Sequence, residues 1–277
     1  MSDLNRQKYT LSVTTQGPLY PPSEVMDANG NFVVVGMIPN DDGIEWSGAI
    51  VAPDTELPEF GDFSKYKVTK YLNMLSKDEL KSIVLYTLPL PIPLNNYQML
   101  FAPEQRPNAN NIQRESIPLH IGHIEDYRVC DGKRLIDPIT LHDWLLATGE
   151  LVVSISQDKK YASFDFNFKN LVPNSLYTVM SLREKDLQKI NPTRPGPLGI
   201  PNVFITDQLG NAQFWAKIPN AFPTSGDESN RIINVVILYM SSRQSYGGAI
   251  GLYGLGGDIH AHLKLKTRSF DQFTTIK

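Results

Sequence analysis

Cysteine is nearly missing from this 277-residue chain, which has only Cys130, so no intrachain disulfide can staple the fold. The fold therefore does not depend on an oxidising compartment. No apolar run approaches the roughly 20 residues needed for a membrane-spanning helix, and the start, Met1 to Lys8, has no signal-like apolar core. The expectation is a soluble cytoplasmic protein without membrane insertion, or a secreted one if a signal was removed. Excess charge of either sign is also lacking: 26 basic residues stand against 29 acidic ones, a formal net charge of -3. That balance offers no basic field for a polyanion, so nucleic acid is not an expected partner.

Catalytic signatures are equally scarce. No Gly-x-Ser-x-Gly elbow occurs, and the run Tyr246–Gly257, although rich in glycine, is followed by no Gly-Lys-Ser/Thr and by a strand rather than a helix. It reads as a loop, with Tyr246 and Tyr253 on it. Asp27-Ala28-Asn29-Gly30-Asn31 fails as a calcium loop, because Phe32 and Ile38 occupy the positions that need glycine and a carboxylate. It reads as a turn. The acids Asp54, Glu56, Glu59 and Asp62 lie in a proline-containing loop with no spacing that singles out a pair, and read as solvated.

What is present is alternation. In Tyr161–Phe168, Ala162 and three phenylalanines share one face while Ser163, Asp165 and Asn167 share the other, the pattern of a half-buried strand. Leu151–Ser156 reads as its hairpin partner. Further strands are expected at 176–182, 203–206, 212–217, 232–240 and 259–266, the run from Ile232 to Tyr239 being apolar on nearly both faces and hence central. Helices are expected to be few: one from Lys77, where Ser76 and Glu79 have capping-box spacing, one over 138–148, and one that Ser181–Glu184 would cap, ending near Asn191-Pro192. The fold class expected is all-β, as two β-sandwich domains of jelly-roll or immunoglobulin-like type with a few short helices, residues 1–136 and 137–277.

One internal echo runs across that division. Asp27 to Asn31 followed by Ile38-Pro39-Asn40 has the same spacing as Asp207 to Asn211 followed by Ile218-Pro219-Asn220. Both read as a turn feeding a strand.

Two functional readings follow. The first is a non-catalytic binding or assembly protein, with a protein or carbohydrate partner and a possible homo-oligomeric state, using aromatic residues such as Trp46, Trp215, Tyr246 and Tyr253 as a stacking surface. The alternative is a metal-dependent enzyme. His260 and His262 are two apart in a strand, which by simple alternation puts both imidazoles on one face, roughly 6 to 7 Å apart along the strand. That face would also carry Asp258, Lys264 and Lys266, leaving Ile259, Ala261, Leu263 and Leu265 to face the core. Two histidines do not complete a site for a divalent metal, so a further ligand would come from His120 or His123, with Glu125 or Asp258 in support. Such a strand occurs in metal-binding β folds, but the remaining motifs of those folds are absent and no family is assigned.

Overall fold

The computed structural model describes residues 5–17, 22–58, 64–89, 115–122, 137–223, 230–245 and 257–274. It is built from strands β1 (Arg6–Val13), β2 (Phe32–Asn40), β3 (Gly43–Val51), β4 (Val68–Tyr71), β5 (Thr148–Ile155), β6 (Tyr161–Lys169), β7 (Leu176–Arg183), β8 (Gly196–Pro197), β9 (Val203–Ile205), β10 (Ala212–Pro219), β11 (Ile232–Met240) and β12 (Ile259–Lys264), with helices α1 (Lys77–Ser82) and α2 (Leu141–Leu145). Both helices start at side-chain caps. Ser76 and Glu79 form the reciprocal capping box, and Thr140 caps α2. The helix expected from residue 138 is therefore shorter, because the cap that forms is Thr140 rather than Asp137. After β7, Glu184–Leu187 makes only a 3-10 turn, closed by the Asp186 carboxylate accepting from the Arg183 N–H, where a helix was expected.

All strand pairings among the described residues are antiparallel, and they assemble two sheets. The larger has nine strands in the order β10-β6-β5-β1-β12-β11-β7-β8, with β9 also on β7. It curls. Phe204 of β9 stacks on Tyr177 of β7, its immediate neighbour, and also on Phe168 of β6, far along the strand order. The smaller sheet has the order β2-β3-β4.

The alternation read from the sequence explains which face is inward. Phe164, Phe166 and Phe168 of β6, Leu151 and Val153 of β5, and Phe214, Ala216 and Ile218 of β10 are buried. Each phenylalanine removed from water contributes roughly 2 to 3 kcal/mol. Val33 and Val35 of β2 and Ile50 of β3 join the same core, whereas Phe32, Val34 and Ile38 point to a second, smaller cluster with Val51, Tyr66 and Leu88.

The all-β class and the expected strands are present, but a boundary at residues 136/137 cuts across this arrangement. Strand β1 lies inside the large sheet, between β5 and β12, and one core mixes residues from both sides of that point. The two sheets are also tied by polar groups. The Gln16 carboxamide pairs with both the N–H and the C=O of Met37, at 2.7 and 2.8 Å, and the Thr15 hydroxyl bridges Val33 and Val35. Together with the backbone bonds from Thr15 N–H to the Val35 carbonyl and from Val33 N–H to the Val25 carbonyl, these side chains close the β2 edge.

The sequence echo has identical local structure at both places. The Asp27 carboxylate accepts from the N–H groups of Asn29 and Asn31, and Asp207 accepts from those of Leu209 and Asn211, while Gly30 and Gly210 take the left-handed conformation that closes each turn. Each turn then enters a strand, β2 or β10.

Candidate functional site

The histidine strand is a buried joint rather than a solvated ligand face. Pairing with β11 passes from Ile237 opposite Leu263 to Leu238 opposite Ala261, so a bulge leaves His262 without a cross-strand partner there. Simple alternation ends at that residue. His260, His262 and Lys264 are all buried, as are Ala261, Leu263 and Leu265, correcting the expectation of one polar and one buried face.

Every imidazole nitrogen of this pair has a protein partner. His262 donates through Nε2–H to the Trp144 carbonyl at 3.0 Å and accepts at Nδ1 from the Tyr177 hydroxyl at 2.9 Å, which itself accepts from the Val172 N–H. The ring stacks on Trp144 with centroids 3.7 Å apart. Burial pulls its pKa down to about 3, opposed by the hydrogen bond to Trp144, so it is neutral in the fold. His260 donates through Nδ1–H to the Glu24 carbonyl at 3.0 Å and accepts at Nε2 from Ser241 Oγ at 2.8 Å. Carbonyls only accept, which fixes both tautomers.

Beside them sits a charge pair that sequence reasoning missed. The Glu24 carboxylate accepts from the Ala261 N–H at 2.6 Å, and burial pushes its pKa up to about 7 despite that bond and the nearby Lys264. The Lys264 ammonium donates to the carbonyls of Gln16 and Gly17, and burial pulls its pKa down to about 8, against the attraction of Glu24.

His120 lies in the turn 118–122, which packs on Ser241 through Gly122, but its Nδ1 is buried without a partner. Burial, then Arg243, lowers its pKa. His123, Glu125, Cys130, Tyr246 and Tyr253 lie outside the described residues. Among the described residues, no three His, Cys, Asp or Glu side chains converge as a metal ion requires. None of the described helices is long and apolar enough to cross a membrane.

Trp215 is placed quite differently. It is 60% exposed, on the outer surface of β10, the strand that ends the large sheet. The register puts Trp215 opposite Asp165, and Gln213 opposite Asn167, which lies opposite Glu150. These side chains share the solvent face because their neighbours Phe164, Phe166, Phe168, Phe214 and Ala216 are claimed by the core. Together with Val152 they line a shallow trough of about 480 Å³. Glu150 is held by Lys8 at 2.6 Å, and two residues beyond Trp215, Lys217 lies over the Tyr161 ring at 4.4 Å. Trp46 instead sits beneath Lys264 and Lys266, with Nζ atoms 5.5 and 5.7 Å from its ring. The trough thus combines one bare indole, two carboxylates and two carboxamides on a rigid sheet. An indole offers an apolar ring face, and the other four groups offer hydrogen-bond acceptors and donors at fixed spacing.

In comparison with known proteins, the chain matches no family model and no curated sequence.

Proposed function

We propose that this protein is a non-catalytic binding module whose outer sheet face receives a carbohydrate. A pyranose ring stacks on the Trp215 indole, and its hydroxyls exchange hydrogen bonds with Asp165, Asn167, Gln213 and Glu150. The observation that carries this reading is the exposure of Trp215 amid those four side chains. An exposed indole keeps a large apolar surface in water, so covering it with a ligand or partner is favourable, and polar groups ringing it favour a ligand with hydroxyls over a purely apolar protein patch. The groups stand on paired strands, so little backbone order has to be imposed on binding.

The test is a panel of soluble neutral polysaccharides in affinity electrophoresis and calorimetry, with Trp215→Ala alongside. A ligand from the panel should retard the wild type, and the substitution should weaken its binding at least about tenfold while far-UV circular dichroism is unchanged. Binding that survives the substitution within about twofold refutes the platform. If no glycan is retained and a protein partner is instead lost on Trp215→Ala, the face serves assembly, the second occupant that an exposed edge-strand aromatic suits.

A further inference from the structure

A second concavity, of about 380 Å³, opens between α2 and the two turns at 170–174 and 207–209, and shares no lining residue with the Trp215 trough. Its size falls within the range of small-molecule sites. Its chemistry is lopsided. Asp137 and Asp143 contribute carboxylates, and no lysine, arginine or histidine is among the described residues that line it. The Asp143 carboxylate is held in place, accepting from the Thr140 hydroxyl at 2.8 Å and bonded to His142 Nδ1 at 2.9 Å. Asn170 is anchored through its Nδ2 to the Leu146 carbonyl.

The rest of the wall is mixed: Asn174 and Gln208 contribute amides, and the other lining side chains are apolar. Leu146 and Leu209 are 49% and 68% exposed, and both line the cleft, with Trp144 as a further part of the lining. Two exposed leucines on separate elements, bordering one cavity, have no packing role that the described core explains. Two carboxylates, with no described lysine or arginine lining the cleft and only the His142 ring against Asp143, stand beside leucine side chains and favour a positively charged nitrogen carried on an apolar body.

We propose that this cleft is a binding site for a small organic cation, an amine or guanidinium on an aromatic or aliphatic frame, with its charge at Asp137 and Asp143 and its apolar body between Leu146 and Leu209. The site is independent of the carbohydrate reading, and either can fail without the other.

Three probes of nearly one shape isolate the charge: phenethylamine, phenethyl alcohol and 3-phenylpropionate. Calorimetry should give a sub-millimolar Kd for the amine, binding at least about tenfold weaker for the alcohol, and none for the carboxylate. In a Trp46→Phe, Trp215→Phe background the remaining tryptophan is Trp144, whose emission should shift saturably with the amine and so place the ligand. Asp137→Asn should weaken the amine at least about fivefold and leave the alcohol unchanged, whereas Leu209→Ser should weaken both. Because Asp137 caps no helix, its substitution leaves the fold testable, checked by an unchanged melting temperature. No saturable binding of the amine, equal affinity for amine and carboxylate, or an Asp137→Asn variant that binds the amine like the wild type each overturns the assignment.

Discussion

Replacing Glu24 by Gln isolates one buried charge and predicts how stability varies with pH. The carboxyl pKa rises from the usual 4.5 to about 7 in the fold because the group is buried, the Ala261 N–H and Lys264 being too little to offset the loss of water. A carboxyl with a higher pKa folded than unfolded holds its proton more tightly in the folded state. The contribution of this group to stability is therefore greatest below pH 4.5 and is lost as pH rises toward 7. At about 1.4 kcal/mol for each pH unit between those limits, the ceiling is about 3 kcal/mol, and relaxation around the charge makes roughly 2 kcal/mol the expected size.

Glutamine mimics the protonated form and keeps an oxygen for the Ala261 N–H. The two proteins should accordingly be about equally stable at pH 4.5, and the variant should be the more stable by roughly 2 kcal/mol near pH 7.5. Urea unfolding of both across this range, taken as a difference, cancels every group they share. The window must end there. Lys264, with its pKa lowered to about 8, contributes stability that returns as pH rises from 8 toward its ordinary value, and losing Glu24 alters that limb as well. A flat difference curve, or a wild type that gains on the variant between pH 4.5 and 7, refutes the assignment of Glu24 as a buried carboxyl held against its charged state.

Three more perturbations test the joints of the fold. Gly36 has φ +151° and no room for a Cβ, which would overlap the Gln16 carboxamide that pairs with Met37, so Gly36→Ala should cost roughly 2 to 3 kcal/mol in urea unfolding. Adding Gln16→Ala should recover part of that cost, and strict additivity would refute the clash. Tyr177→Phe removes the hydroxyl that donates to His262 and accepts from Val172, leaving two buried groups unpaired, and should cost roughly 2 to 4 kcal/mol by the same measurement; a loss under about 0.5 kcal/mol contradicts the relay. Treatment with a chelator followed by desalting should leave the melting temperature unchanged, since the nitrogens of His260 and His262 are engaged by protein groups, and a fall of several degrees would revive the metal alternative.

Much of the fold was legible because it is built from short-range rules. Period-2 alternation located β5, β6 and β10, and a continuous apolar run located β11, which is buried at every residue, as its lack of a polar face implies. Turn chemistry matched as well, down to the paired Asp-Gly-Asn turns. Strand β1, Arg6-Gln7-Lys8-Tyr9-Thr10-Leu11-Ser12-Val13, was not read because it carries little apolar signal along most of its length. Its place depends on partners 138 and more residues away, β5 and β12, and local pattern does not encode such pairings.

The candidate site divides along the same line. Trp215 was legible as one of a pair, since Phe214 and Trp215 must face opposite ways, and which one faces out depends on which face of β10 the core claims. Ala216 and Ile218 settle it, because small and apolar residues in step with Phe214 put Trp215 in step with Gln213 and Lys217. The histidines misled for a physical reason. Alternation assigns faces only in an unbroken ladder with water on one side, and β12 meets neither condition: it bulges at His262, and both its faces are covered. Lysine and aspartate in such a strand look like markers of a solvated face. Here Lys264 is instead matched by Glu24 and two carbonyls from the chain between β1 and β2, so the charges mark where that chain packs over the strand. The same reasoning separates two of the tryptophans. Trp144, on α2, has its N–H bonded to the Thr14 carbonyl and its face on His262, and is committed to holding α2 against β12, whereas Trp215 has an indole that no part of the fold claims as core. Of these two indoles, Trp215 is the one with a solvent-exposed face to give to a stacked ligand.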